Sequence, residues 1–116
     1  MHNYMKINIL ISDETTRRAE ALLEQSLPTS IQGLWLYFQE LGECLWKIRD
    51  EVNNFIDIFP TENNLPINYR YDTRFNDSHI RLIEEKIENR MKKCSEEAKR
   101  IEKEKEAVAL KILKNK

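Results

Sequence analysis

The chain has 116 residues, 34% of them charged, and a net charge of −1 at neutral pH. Leu, Ile, Val and Phe together number 31, more than a disordered chain carries, and the near-neutral balance gives no global pull toward nucleic acid or membrane. Two glycines and three prolines leave long unpunctuated stretches of mixed charge, which suit solvated helices better than a β-rich fold.

The charge is unevenly spread. Residues 1–65 carry five basic and ten acidic side chains, and residues 66–116 carry fourteen basic and ten acidic ones. Two halves that complement each other within one fold or one dimer account for this. A basic C-terminal half that meets an anionic partner is the alternative. Cys44 and Cys94 have no partner at metal-binding or redox spacing, so two buried thiols in a reducing compartment are expected. No apolar segment approaches the length of a membrane span or of a signal peptide, and a soluble cytoplasmic protein is expected.

Residues 1–11, MHNYMKINILI, read two ways. Ile7, Ile9 and Ile11 alternate as in a strand, whereas Tyr4, Ile7 and Ile11 fit a helical face. A lone strand has nothing in its own chain to pair with, so an irregular or helical arm packed on the core is expected. Ser12 or Asp13 then offers an N-cap, with Asp13 and Glu14 in the first turn. A helix runs from there to about Ser26, with Ala19, Leu22, Leu23 and Leu27 as its narrow apolar stripe. Leu27 precedes Pro28, which disfavours helix, and Thr29 or Ser30 caps the next one.

That second helix, Ile31 to Phe59, dominates the chain. Ile31, Leu34, Phe38, Leu41, Leu45, Ile48, Val52, Phe55 and Phe59 alternate spacings of three and four, an a/d heptad pattern of the coiled-coil kind. Its length is roughly 45 Å at about 1.5 Å per residue. Trp35, Leu36, Tyr37, Trp46, Ile56 and Ile58 lie off the seam, so more than one neighbour must cover it. Trp35 and Trp46 fall only about 20° apart around the axis with Gly42 between them. This predicts either a close helix crossing or a notch between two indoles for a protein partner.

Pro60 ends the helix, and residues 60–76 form a long loop. Its second half interleaves Tyr69, Arg70, Tyr71, Arg74 and Phe75. These either close the end of the core or meet a partner, with bases stacking on the aromatics if the partner is nucleic acid. Asp77 or Ser78 caps a third helix, 77–116. Its stripe is Ile80, Ile83, Ile87, Met91, Cys94, Ala98, Ile101, Lys105, Val108 and Ile112, and its apolar character thins after Ala98. Such a helix spans roughly 57 Å and outruns what a chain of this size can cover.

Arg74-Phe-Asn-Asp-Ser-His79 has Arg-x4-His spacing. It resembles the active-site motif of HEPN-type ribonucleases, small helical dimers in which the arginine and histidine of both subunits converge to cleave RNA. The resemblance covers six residues, with Phe75 where a small polar residue is usual, and it implies catalytic roles for Arg74 and His79. Otherwise the catalytic inventory is empty. There is no glycine-rich phosphate loop, no Ser-His-Asp set and no Glu-x-x-His pair for a di-iron bundle. Glu40, Glu43, Asp50 and Glu51 read as solvated or salt-bridged carboxylates, and no metal or cofactor is expected.

The expected fold is therefore all-α, one domain over residues 1–116. It is a three-helix antiparallel bundle whose two long helices form a hairpin, paired into a homodimer because one chain cannot bury both apolar faces. The expected function is that of a non-enzymatic protein-interaction module (an adaptor, an inhibitor or a small subunit of a larger assembly) that self-associates and binds through Trp35, Gly42, Trp46 and the 69–75 cluster. The alternative is a HEPN-like ribonuclease or a nucleic-acid binder using Arg70, Arg74, His79 and Arg81.

Overall fold

The computed structural model describes residues 7–58 and 75–115. Within them lie three helices, α1 (Asp13–Glu24), α2 (Ile31–Asp57) and α3 (Ser78–Lys114), and two very short strands, β1 (Ile7–Asn8) and β2 (Phe75–Asn76). The protein is mostly helical. The two long helices α2 and α3 pack together over the greatest length, and α1 lies against both.

Helices α1 and α2 start where a serine side chain satisfies a free N–H group of the first turn. Ser12 caps α1, its Oγ accepting from the Thr15 N–H at 3.2 Å. Ser30 caps α2, its Oγ accepting from the Gly33 N–H at 3.0 Å. Asp77 occupies the cap position of α3 without a side-chain cap bond; its carboxylate instead accepts from the Arg81 Nε at 2.8 and 2.9 Å. Helix α1 stops at Glu24, with Gln25 already extended, two residues short of the Ser26 expected from Pro28.

The heptad seam of α2 is the core. Leu34, Leu41, Leu45, Ile48 and Val52 are buried, and Phe38 and Phe55 pack half-buried beside them. From α3 come Ile80, Ile83, Ile87, Cys94 and Ala98, with Met91 and Ile101 half-buried. Fully burying one such aliphatic side chain is worth roughly 1.5–3 kcal/mol, so this seam carries most of the packing energy. Tyr37, Cys44 and Ile56 are buried as well, although they lie off the seam. Tyr37 and Cys44 sit about 60–80° around the axis from Leu34, on the side where α1 packs. There Ala19 and Leu22 of α1 are buried, and the Tyr37 hydroxyl donates to the Leu22 carbonyl.

The strands correct two expectations. β1 and β2 pair in parallel, Ile7 opposite Phe75 and Asn8 opposite Asn76. The Ile9 N–H continues the ladder to the Asn76 carbonyl at 3.0 Å, and the Asn76 amide donates to Asn8 Oδ1 at 2.9 Å. Residues 7–8 are therefore not an irregular or helical arm, and the expected 60–76 loop ends in a strand. The Ile7-Ile9-Ile11 alternation is the signal of this edge. Its partner escapes detection because two residues directly before a helix show no periodicity. Residues 1–6 and Phe59 lie outside the described part.

Helix α3 changes character along its length. Burial ends with the half-buried Ile101, and every residue from Glu102 to Asn115 is exposed. The helix is helped across this point by its own charges, since Arg100 pairs with Glu97 and with Glu104. Pairs at these spacings add a few tenths of a kcal/mol each.

Candidate functional site

Of the ten large exposed apolar side chains among the described residues, Leu10, Leu36, Ile58 and Leu82 stand apart, and the other six fall in two places. The first is the flank of α2 turned away from α1. Trp35 is 39% exposed and Trp46 66%. Trp35 meets the ring of Phe38 edge-on, with centroids 5.6 Å apart. Gly42 lies between the indoles in sequence and faces α3, because a Cβ placed there would sit 3.4 Å from the Met91 methyl. A side chain at this position would meet only the flexible end of Met91, and the two tryptophans lie to either side of the glycine along the helix. The arrangement is a shallow aromatic shelf with Phe38 and Met91 at its inner edge. The heptad pattern places Phe38 and Met91 in the core, so their contribution to the shelf is not legible from sequence.

The second place is the free end of α3. Val108, Leu110, Ile112 and Leu113 are 58%, 59%, 57% and 66% exposed. Nothing in the described residues covers them. Two lysines, Lys111 and Lys114, stand in the last turn, where cations favour the negative end of the helix dipole. Residues 107–115 carry no carboxylate.

Between α1 and α2 lies a cleft of about 450 Å³ lined by Ser12, Glu14, Thr15, Arg18, Glu43, Cys44, Lys47 and Glu51. Its key group is Glu51. One carboxylate oxygen accepts from the Ser12 N–H at 2.7 Å and the other accepts from the Thr15 hydroxyl. Burial pushes this carboxyl up, but the hydrogen bonds from Thr15 and Ser12 outweigh it and hold Glu51 below the ordinary glutamate range. Glu51 therefore acts as a second cap on α1, supplied by another helix. Burial pushes the Cys44 thiol up, against the lowering influence of the Arg18 cation. The same cause raises Cys94, and both cysteines are free and buried. Thiols held protonated are poor nucleophiles, and the cleft reads as a structural joint.

Of the residues singled out in 69–79, Tyr69, Arg70, Tyr71 and Arg74 lie outside the described part. Phe75 is buried in the core at the β2 edge, so its ring is not offered to a partner. His79 is exposed in the first turn of α3, and Arg81 is engaged with Asp77. Arg74, the partner that the Arg-x4-His spacing assigns to His79, is among the residues outside the described part.

No group of three His, Cys, Asp or Glu side chains among the described residues is placed to hold a metal ion. No described helix is long and apolar enough to cross a membrane. No protein-family model, curated protein or solved structure matches the chain.

Proposed function

We propose that the chain is a non-enzymatic helical interaction protein that works as a self-associating module. Its long helices form an antiparallel hairpin. The order of the cross-helix pairs supports this: Gly42 faces Met91, whereas Arg49, further along α2, reaches back to Glu88 at 2.7 Å and Glu84 at 3.8 Å. The observation that carries the function is the placement of exposed apolar side chains. Six of the ten large ones among the described residues fall on the Trp35–Trp46 flank and the end of α3, with Leu10, Leu36, Ile58 and Leu82 standing apart, and gathered patches mark binding surfaces. Tryptophan-centred patches supply most of the binding energy where they are used. A cytoplasmic setting belongs to the same reading, since two free thiols suit a reducing compartment.

Light scattering coupled to size exclusion tests self-association, with a mass of twice 13.9 kDa expected. Incubation with mixed RNA tests the non-enzymatic part: intact RNA is expected. Cleavage that disappears in His79→Ala would overturn this reading in favour of the ribonuclease.

A further inference from the structure

We propose that the free end of α3 docks on the Trp35–Trp46 shelf of a second copy, reciprocally, so that each chain supplies one helix end and one shelf. This rests on the self-association reading and specifies its interface. Three observations on the chain choose this occupant over any other.

The first is fit. The exposed end of α3 from Glu102 to Lys114 is about 20 Å long, and Trp35 to Trp46 covers about 17 Å at 1.5 Å per residue. The second is charge. Outside the cleft against α1, helix α2 carries Glu40, Asp50 and Asp57 against the single cation Arg49, while residues 107–115 carry two lysines and no carboxylate. Leu110 and Leu113 give the apolar contact and Lys111 and Lys114 the polar rim, the usual anatomy of an interface.

The third is closure. The pairs Gly42 with Met91 and Arg49 with Glu84 and Glu88 give the level of each helix against the other to within about a turn. They set Trp46 and Trp35 level with about residues 87 and 98 of α3, and the free end begins about one turn further on. A two-fold axis across α3 near Arg100 therefore carries each free end onto the other chain's shelf, and both contacts form at once. A closed isologous pair results, in which the shelf and the helix end that one chain leaves bare are covered by the other. Within its own chain the free end cannot reach the shelf, because α3 is one continuous helix pointing past the start of α2.

Two variants used singly and mixed test this. One is Leu110→Asp with Leu113→Asp; the other is Trp46→Glu. All three positions are at least 59% exposed, so each variant keeps its helicity by circular dichroism. Each alone is expected to weaken dimerisation by at least about a hundredfold. Mixed, they are expected to associate, because a chain with an intact shelf meets a chain with an intact helix end. With two indoles per chain, both on the shelf, wild-type emission shifts to the blue as the dimer forms. A dimer that survives either variant, or a mixture that stays monomeric, overturns the reciprocal docking alone. A wild-type chain that stays monomeric overturns the self-association reading with it.

Discussion

Helix α2 has two flanks with opposite fates. On one, Tyr37, Cys44 and Glu51 meet α1. The contact is closed at one end by the Tyr37 hydroxyl on the Leu22 carbonyl and at the other by Glu51 on Ser12 and Thr15. On the other flank Trp35 and Trp46 carry more apolar surface and are left to solvent. Hydrophobicity alone would have assigned the neighbour to the tryptophans. The short helix α1 goes instead where small side chains, Ala19 and Thr15, allow close approach and where polar groups pin both of its ends. Apolar area says how strongly a face wants a partner; the polar pins say which partner the chain itself provides.

The largest effect is expected where the covered flank is packed tightest. Leu22 is 4% exposed, and Leu22→Ala should cost about 3 kcal/mol in chemical denaturation. Trp46→Ala on the bare flank should stay within about 0.5 kcal/mol in dilute protein. Equal losses from the two would break the distinction between the flanks.

A smaller effect is expected from the pins. Tyr37 is 1% exposed, donates to Leu22 and accepts from the Arg90 Nε, while the Arg90 guanidinium also donates to the Gln25 carbonyl. Tyr37→Phe keeps the ring and strands the carbonyl, for a loss of about 1–2 kcal/mol. Glu51→Gln removes the charge from the other pin, for about 1 kcal/mol at neutral pH. Its pH dependence follows from the sign of the shift. Glu51 is held below its unfolded value, so its contribution is present above the ordinary glutamate range and is lost as pH falls through the lowered folded value. Glu51→Gln should flatten the acid limb of the stability curve. The slope that remains comes from groups such as Glu97, which the hydrogen bond from Arg100 also holds low.

Much of the covered architecture is legible in the sequence because it is periodic. The three- and four-residue spacing from Ile31 gives α2, its core seam and its start at Ser30, and the thinning stripe of α3 gives the point after Ala98 where burial fails. The β1–β2 pair is not legible, since its two ends are 68 residues apart and its second strand is two residues long. Glu51 is not legible either. A carboxylate on a helix reads as solvated until the cap of another helix is placed beside it. The Trp35–Gly42–Trp46 grouping is visible as an azimuth, but its inner edge at Phe38 and Met91 depends on where α3 lies, and that is a tertiary fact.

The smallest effect separates the two glycines of the chain, one on the shelf side and one at the start of α2. At Gly33 a Cβ would come within 2.9 Å of both the Pro28 ring and Ser30 Oγ. The ring is stiff and the serine is the cap, so neither moves freely, and Gly33→Ala should destabilise despite alanine's better helix propensity. At Gly42 the single neighbour is the Met91 methyl at 3.4 Å, the far end of a flexible side chain that can swing aside. Gly42→Ala should therefore keep most of the propensity gain and stabilise the dilute chain by about 0.5–1 kcal/mol. Thermal melts of the two variants should move in opposite directions. A loss at Gly42 as large as that at Gly33 would mean that α2 and α3 touch there through backbone, and that the bare flank is shaped by a helix crossing and not by a methionine that can yield.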